Sequence, residues 1–331
     1  MSADRPLPAP LWRAAAAAHA ARADALTAAR RERAGRGLTD PVEDFLFEYY
    51  PLRPARLRRW HPGAGTALAP DAPDDLAGPD DLATPDELAT PDELATPDEL
   101  DARSRWRWHH RRADGSVALD VGALMADRGD GVRWIHDLLT RTAARTPQLG
   151  CLGLHEWAMV YRQERHRHPL PLRLGQSATD AVVEGHPLRC THFDAFRFFT
   201  GPARPLNRDQ PERATQPALE QPGCLHATMD LLKHAMKLGP ACPGDLLLDT
   251  FELARDVRVL DMRASPYDVT ALGHDPVPIE TAPGRAEYVR LQRGFAERAA
   301  PLRDRLLEVT GRLVAAPADG RTRTPARATG T

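Results

Sequence analysis

Long apolar runs are what this sequence most clearly lacks. No stretch approaches the roughly 20 apolar residues that a membrane helix requires, so we expect no membrane span and no membrane partner. The alanines at 14–18 form a short run between Arg13 and His19, unlike the apolar segment of a secretory leader. The four cysteines, at positions 151, 190, 224 and 242, include no C-x-x-C pair. They predict free thiols and a cytoplasmic protein.

Lysine is also almost missing. Lys233 and Lys237 are the only two lysines among 44 basic residues, and the others are arginine. The formal net charge of −2 hides an uneven distribution, because residues 71–102 hold twelve carboxylates and no basic side chain. The other 299 residues carry 44 basic and 34 acidic side chains, a net charge of +10. This excess is compatible with an anionic partner but does not identify one.

A short repeat separates two parts of the chain. From Pro73 the sequence repeats every six residues, as PDDLAG, PDDLAT, PDELAT, PDELAT and PDEL. Each unit has a helix-breaking proline and two acids against one leucine, which is too little apolar surface to offset the entropy of ordering. We therefore predict that residues 66–102 form a disordered acidic insertion. An acidic mimic of nucleic acid is the alternative.

The remaining sequence predicts a mainly α-helical single domain. Its N-terminal part covers residues 11–65 and its main part residues 103–314, with disordered tails at 1–10 and 315–331. The turn Ala113-Asp114-Gly115-Ser116 predicts a small β-hairpin over 105–120. Helical periodicity and propensity predict helices over residues 11–33, 131–145, 152–165, 224–238, 245–263 and 285–314. We expect Asp245 to cap the helix that it begins.

The segment 189–199 (RCTHFDAFRFF) has the densest chemistry, with a thiol, an imidazole, a carboxylate and four phenyl rings. We expect a helix that is entered near Thr191 and places His192 on the same face as Phe196 and Phe199. Asp194 then lies on another face, whereas a strand would point His192 and Asp194 the same way. Two other segments also place a cysteine, a histidine and a carboxylate close together, at 151–156 and 224–230.

These three segments predict one acid/base site. We expect their side chains to converge in a single cavity and to act as catalytic groups. The candidates are Asp194, Glu156, His192, His155, His226 and Asp230. One hypothesis uses the carboxylates alone, because cleavage of an N-glycosidic bond needs a carboxylate beside an aromatic pocket for the base. Asp194 among its phenylalanines fits this chemistry, with Glu156 beside Trp157 as the rival; alternatively, the phenyl rings are core and Asp194 pairs with an arginine.

A metal ion is the alternative to carboxylate chemistry alone. Zinc favours nitrogen and sulfur ligands, and three of the cysteines lie within four residues of a histidine. The candidate ligands for a zinc or iron ion are His155, His192, His226 and Asp230. The short-spaced ligand pairs of zinc ribbons are absent from the sequence, and buried cysteines are common in cores. No other cofactor is predicted.

Arginine alternates with tryptophan directly after the repeat. The nucleic-acid-binding candidates are Arg105, Trp106, Arg107, Trp108 and Arg111. Guanidinium groups would hold phosphates, while indole rings would stack on bases. A strand with both indoles in the core and the arginines in water is the alternative.

Five segments of the sequence carry a resemblance to known proteins: 41–63 (PVEDFLFEYYPLRPARLRRWHPG), 151–162 (CLGLHEWAMVYR), 189–199, 220–230 (EQPGCLHATMD) and 252–268 (ELARDVRVLDMRASPYD). They resemble a family of high-GC bacterial proteins commonly labelled 3-methyladenine DNA glycosylase. The resemblance implies removal of alkylated bases from DNA. The sequence has no helix-hairpin-helix followed by a catalytic aspartate, so no catalytic residue is taken over from the helical glycosylases that have one. A metal-dependent enzyme acting on a small molecule or nucleotide, and a non-enzymatic nucleic-acid-binding protein, are the other two hypotheses.

Overall fold

The protein is a helical domain with one small hairpin. A computed structural model describes residues 6–50, 52–71 and 98–316. The helices are α1 (Ala9–Gly35), α2 (Phe45–Tyr49), α3 (Pro54–Leu57), α4 (Asp98–Ser104), α5 (Val121–Ala143), α6 (Leu154–Ala158), α7 (Gly175–Glu184), α8 (Phe193–Phe196), α9 (Gln216–Leu219), α10 (Leu225–Leu238), α11 (Gly244–Arg263) and α12 (Ala282–Ala315). Strands β1 (His109–Arg111) and β2 (Val117–Leu119) pair antiparallel, with His110 opposite Ala118. The predicted fold class is confirmed. Within the described ranges, no helix is long and apolar enough to cross a membrane.

Helix α10 lies at the centre of the domain. It packs against α11 and α12, and α12 also packs against α5. Eleven of the 14 residues of α10 are buried, so this helix meets protein on nearly all sides. Three of the buried residues have ionisable side chains, namely His226, Asp230 and His234. Because burial of a polar group without a partner is costly, α10 needs polar partners from the helices around it.

Two predicted helices are much shorter than expected. The stretch predicted over 152–165 is helical only as α6, because Leu152 and Gly153 precede it with φ values of 54° and 71°, and Arg162 follows with 52°. Such left-handed backbone does not continue an α-helix. The helix expected from Thr191 begins only at Phe193, where His192 is the extended N-cap residue without a side-chain cap. Thr191 therefore does not cap it.

The long helices follow the periodicity closely. Helices α1, α10, α11 and α12 match their predicted ranges within three residues at each end. Helix α5 begins ten residues earlier than predicted, because the Asp120 side chain accepts a hydrogen bond from the Ala123 amide and caps it there. Asp245 does not cap α11; it lies in the first turn and pairs with Arg305 on α12.

The predicted limits of the insertion and of the N-terminal tail were too wide. Leu68 bridges to both Leu7 and Val117, and Leu100 is buried in the same small apolar cluster. The Arg103 guanidinium lies over the rings of Trp12, Trp60 and Trp106 at 5.1, 5.6 and 4.9 Å. Residues 6–10, 66–71 and 98–102 are therefore ordered by contacts that lie far apart in sequence. The rest of the predicted insertion, at 72–97, and of the two tails, at 1–5 and 317–331, falls outside the described residues.

Deletion variants test the revised limit. We expect replacement of residues 73–97 by a short glycine–serine linker to leave the melting temperature nearly unchanged. Asp71 and Glu99 on either side of this segment both pair with Arg13, so the linker spans a short distance. Extending the deletion to residue 104 removes Leu100 and Arg103, so we expect the free energy of unfolding to fall by about 2 kcal/mol or more. Thermal and urea unfolding of the two variants measure the difference. Equal stability would show that α4 does not support the domain.

Candidate functional site

Helices α6, α10 and α11 bring ionisable side chains into the core. His226, Asp230 and Lys233 lie at i, i+4 and i+7 on α10, so they share one face. Arg258 and Asp261 on α11 lie one turn apart. His155 and Glu156 on α6, and His192 just before α8, complete the set. These groups form two adjacent clusters.

The first cluster, named here the Asp261 cluster, consists of Asp261, Arg258, His155, Glu156 and His226. The His155 Nε2 atom lies 2.7 Å from Asp261 Oδ1. Arg258 donates to Asp261 Oδ2 at 2.9 Å and to Glu156 Oε1 at 3.3 Å. All five side chains are at least nine-tenths buried. Each carboxylate of the cluster thus has the same guanidinium as a charged partner.

Charge pairing sets the protonation of this cluster. Burial raises the pKa of the Asp261 carboxyl, but His155 and Arg258 outweigh it and hold that pKa well below its usual range. Burial lowers the pKa of His155, and Asp261 reverses this so that the imidazole is held charged. Burial and the Asp261 charge raise the pKa of Glu156. The Asp261 cluster is therefore an ion network whose negative charges are matched by Arg258 and protonated His155.

The second cluster, named here the Asp230 cluster, consists of Asp230, His192, Glu220, Lys233, Tyr50 and Asp194. The Tyr50 hydroxyl donates to Asp230 Oδ1 at 2.9 Å. Lys233 donates to Asp230 Oδ2 and, at 3.0 Å, to Asp194 Oδ2. The His192 Nε2 atom faces Asp230 Oδ2 at 3.3 Å and Glu220 Oε2 at 3.5 Å. One imidazole nitrogen therefore faces two carboxylates from different parts of the chain.

The carboxylates of the Asp230 cluster have pKa values that are shifted in different directions. Burial raises the pKa of Asp230, but Lys233 and His192 outweigh it and hold the carboxyl ionised. Burial likewise raises the pKa of Asp194, and Lys233 reverses the shift. For Glu220 burial prevails and its pKa is raised. Among the described residues, the Glu220 carboxylate accepts a hydrogen bond from the Gln216 amide at 2.8 Å and lies 3.5 Å from His192 Nε2.

His226, a member of the Asp261 cluster, also lies beside His192 of the Asp230 cluster. Its ring centroid is 4.5 Å from that of His155 and 5.4 Å from that of His192. Burial and the charge on His155 lower its pKa, so this imidazole is neutral. The structure thus packs all six candidate catalytic residues into two adjacent clusters rather than around the single cavity that was predicted; five are buried, and only Asp194, half-buried at the edge, reaches a cavity wall. Two groups of three buried side chains have the residue types of a metal site, with their ligand atoms within 4.8 Å of one another: His155, His226 and Asp261, and His192, Glu220 and Asp230.

A cavity of about 530 Å³ lies against the Asp230 cluster. Asp194, Lys233 and Tyr50 belong to both the cluster and the cavity wall. The other lining residues are mostly basic or aromatic: Arg56, Arg59, Arg107, Arg128, Arg197, Lys237, Tyr49, His61, Trp106, Trp108 and His109. Among the described residues that line it, Asp194 is the one carboxylate. The cavity therefore has the charge and the rings to receive an anionic, aromatic ligand.

The candidate nucleic-acid-binding residues divide at this cavity. Trp106, Arg107 and Trp108 line it, and the Arg107 guanidinium lies 4.4 Å from the centre of the Trp108 ring. Arg105 is exposed elsewhere, and Arg111 pairs with Asp101 on α4. The alternating segment is not a strand with both indoles in the core, because β1 begins only at His109 and both indoles are partly exposed.

The thiols take little part in either cluster. All four cysteines are free. Burial raises the pKa of Cys190, Cys224 and Cys242, which makes these thiols poor nucleophiles and poor ligands. Cys151 contacts a side chain of the Asp261 cluster, with its Sγ atom 3.4 Å from His155 Nδ1. The metal groups accordingly use histidine and carboxylate rather than sulfur.

Five members of the clusters were not predicted as site residues: Tyr50, Glu220, Lys233, Arg258 and Asp261. Glu220 follows a short helix that offers no periodic pattern, and Asp261 and Arg258 lie in a long helix where charged residues are frequent. A signal was present in α11, because Asp261 lies between Leu260 and Met262 with Val257 beside Arg258. Charged residues embedded in an apolar stretch at i, i+3 indicate a buried pair.

Comparison with known proteins finds no matching family model, no similar curated protein and no similar solved structure. The chemistry of the clusters and of the cavity is therefore the basis of any functional conclusion.

The Asp261 cluster provides a stability test. We expect Arg258→Met to destabilise the fold by about 3–5 kcal/mol, because it leaves two buried carboxylates without their shared cation. Arg141→Met is the matched control, since Arg141 pairs with Asp137 on the exposed face of α5 and should cost less than about 1 kcal/mol. Urea unfolding compares the two. Similar small losses in both variants would contradict a buried network that depends on Arg258.

Proposed function

We propose that the protein is a hydrolase that removes alkylated bases from DNA by cleaving their N-glycosidic bonds. The observation that carries this proposal is the position of Asp194, a carboxylate in a cavity whose described lining is mostly basic or aromatic. The resemblance of segments 41–63 and 189–199 to glycosylase-labelled proteins supports the same activity. The absence of matches to other known proteins leaves the proposal to be decided by experiment.

Each part of the cavity has a role in this chemistry. The basic side chains would bind backbone phosphates, which supply most of the affinity of DNA-binding proteins. The rings of Tyr49 and Trp106 would contact a base turned out of the duplex. The cavity volume of about 530 Å³ is in the range of small-ligand pockets. The arrangement therefore suits one nucleotide held by its phosphates, with its base directed inward.

Asp194 would stabilise the positive charge that develops on the sugar. Cleavage of an N-glycosidic bond passes through an oxocarbenium-like state, which a nearby carboxylate stabilises. Lys233 holds Asp194 in position at 3.0 Å, and Arg197 lies 3.6 Å from its other oxygen. Only about 14% of the Asp194 side chain is exposed, so its charge is less screened than that of a surface residue. Asp194 thus stays ionised at the cavity wall.

The first test removes this charge. We expect Asp194→Asn to reduce the release of methylated bases at least about 100-fold while the protein stays folded, because asparagine keeps the volume but loses the carboxylate. The measurement is chromatography of bases released from duplex DNA treated with dimethyl sulfate, with untreated duplex alongside. Asp137→Asn, an exposed carboxylate on α5, is the matched control and should retain full activity. If the wild-type protein binds the treated DNA and releases no base, it is a binding protein and the hydrolase proposal is wrong.

The second test concerns the phosphates. Arg107 lines the cavity and Arg105 does not, although both are exposed and only two positions apart. We expect Arg107→Gln to weaken binding to duplex DNA and to reduce the slope of log affinity against log salt by about 1. Arg105→Gln should leave both unchanged. Fluorescence anisotropy over a salt series measures the slopes, and an effect of the same size in both variants would show that the cavity is not the DNA contact.

A further inference from the structure

In the Asp230 cluster, the contacts of His192 are long for charge-assisted hydrogen bonds. His192 Nε2 lies 3.3 Å from Asp230 Oδ2 and 3.5 Å from Glu220 Oε2. Charge-assisted hydrogen bonds of this kind are normally about 2.7–2.9 Å long. The other ring nitrogen, Nδ1, is buried and has no partner in the described part of the chain. The fully buried His192 side chain is thus held by one long hydrogen bond, to Asp230.

These separations match those between ligands of one metal ion. With metal–ligand bonds of about 2.1 Å in a tetrahedral site, neighbouring ligand atoms lie roughly 3.4 Å apart. The Asp230 and Glu220 oxygens also lie within 4.8 Å of each other. The corresponding contact in the Asp261 cluster, His155 Nε2 to Asp261 Oδ1, is 2.7 Å. That distance is typical of a direct hydrogen bond and too short for two ligands of one ion.

Charge distinguishes the two clusters in the same way. Arg258 contacts both carboxylates of the Asp261 cluster. In the Asp230 cluster, Lys233 contacts Asp230 and Asp194, but within the described ranges no lysine or arginine nitrogen lies within 4.0 Å of the Glu220 carboxylate. Arg303 on α12 acts on Glu220 only at longer range. A cation beside His192 would give Glu220 the partner that it lacks.

The outer contacts of these three residues fit a metal site. The Gln216 amide donates to Glu220 Oε2 at 2.8 Å, and the Tyr50 hydroxyl donates to Asp230 Oδ1 at 2.9 Å. Such hydrogen bonds orient ligating carboxylates. Lys233 shares the Asp230 oxygen that faces His192 and also has Asp194 as a second acceptor. A metal ion would therefore compete with Lys233 for Asp230 while Asp194 retains the ammonium group.

We infer that His192, Glu220 and Asp230 bind one divalent transition-metal ion, such as Zn²⁺, Fe²⁺ or Mn²⁺. One imidazole and two carboxylates suit these borderline cations, and fewer than four protein ligands leave a position open for water or substrate. The site lies behind Asp194 and Lys233, which line the cavity. The inference rests on geometry and does not depend on the glycosylase activity.

Metal binding to the purified full-length protein tests the inference. After treatment with EDTA and dialysis into metal-free buffer, calorimetric titration with Zn²⁺ and with Mn²⁺ should show one equivalent bound per chain and a raised melting temperature. We expect His192→Gln and Glu220→Gln each to weaken binding at least about 100-fold, since loss of an outer-sphere partner alone costs 10–100-fold. His155→Gln is the matched control in the Asp261 cluster and should bind as the wild type does.

Three results would overturn the inference. The first is that the wild-type protein binds neither ion. The second is that binding persists in both His192→Gln and Glu220→Gln, which would indicate adventitious surface sites. Loss of binding in His155→Gln with retention in His192→Gln would place the ion in the Asp261 cluster instead. Circular dichroism of each metal-free variant checks folding. If His192→Gln does not fold, Glu220→Gln and Asp230→Asn test the same ligand set with substitutions of nearly equal volume.

Discussion

The burial of Asp230 on helix α10 is the constraint on which the centre of the structure depends. Its side chain is about 1% exposed, and an ionised carboxylate at such a position is stable only when charged groups and hydrogen-bond donors surround it. Tyr50, His192 and Lys233 surround it here. Because Tyr50 follows α2 and His192 precedes α8, this one carboxylate holds three distant segments of the chain together.

The two clusters solve the problem of buried charge differently. In the Asp261 cluster, one guanidinium bridges two carboxylates and a short hydrogen bond holds His155 charged. The Asp230 cluster instead has long contacts at His192 and a glutamate without a cation in direct contact. In the first cluster both carboxylates have a cation from the same cluster in direct contact, which favours a structural role. The second is the more open to an added cation.

The cavity and the Asp230 cluster share their boundary residues. Lys233 contacts Asp230 on one side and Asp194 on the other, and both Lys233 and Asp194 line the cavity. An anionic ligand in the cavity would therefore change the electrostatic surroundings of the buried carboxylates, and a cation in the cluster would change those of Asp194. Lys233 and Asp194 therefore couple the cavity and the buried carboxylates electrostatically. This coupling would hold whether or not the protein is a glycosylase or binds a metal ion.

Local pattern was sufficient for much of the fold. The apolar periodicity of α10 and α12 and the turn at 113–116 predicted those helices and the hairpin, because these elements depend on contacts between near neighbours. The same reasoning overestimated the lengths of α6 and α8. Their ends are set by left-handed backbone at Leu152 and Arg162 and by packing around His192, which periodicity does not encode. Similarly, Leu100 ends the last repeat unit, and only the tertiary structure places it in the apolar cluster around Trp12.

The sequence by itself determined which residue types were available for chemistry and which of them share a helix face. His226 and Asp230 lie at i, i+4, so their common face followed from helix geometry alone. Only the tertiary structure decided that His192 faces Glu220 as well as Asp230, that Asp261 pairs with His155, and that Asp194 reaches the cavity wall. These relations join residues up to 106 positions apart. They depend on how α10 and α11 pack against their neighbours, and residue spacing along one chain carries no record of that packing.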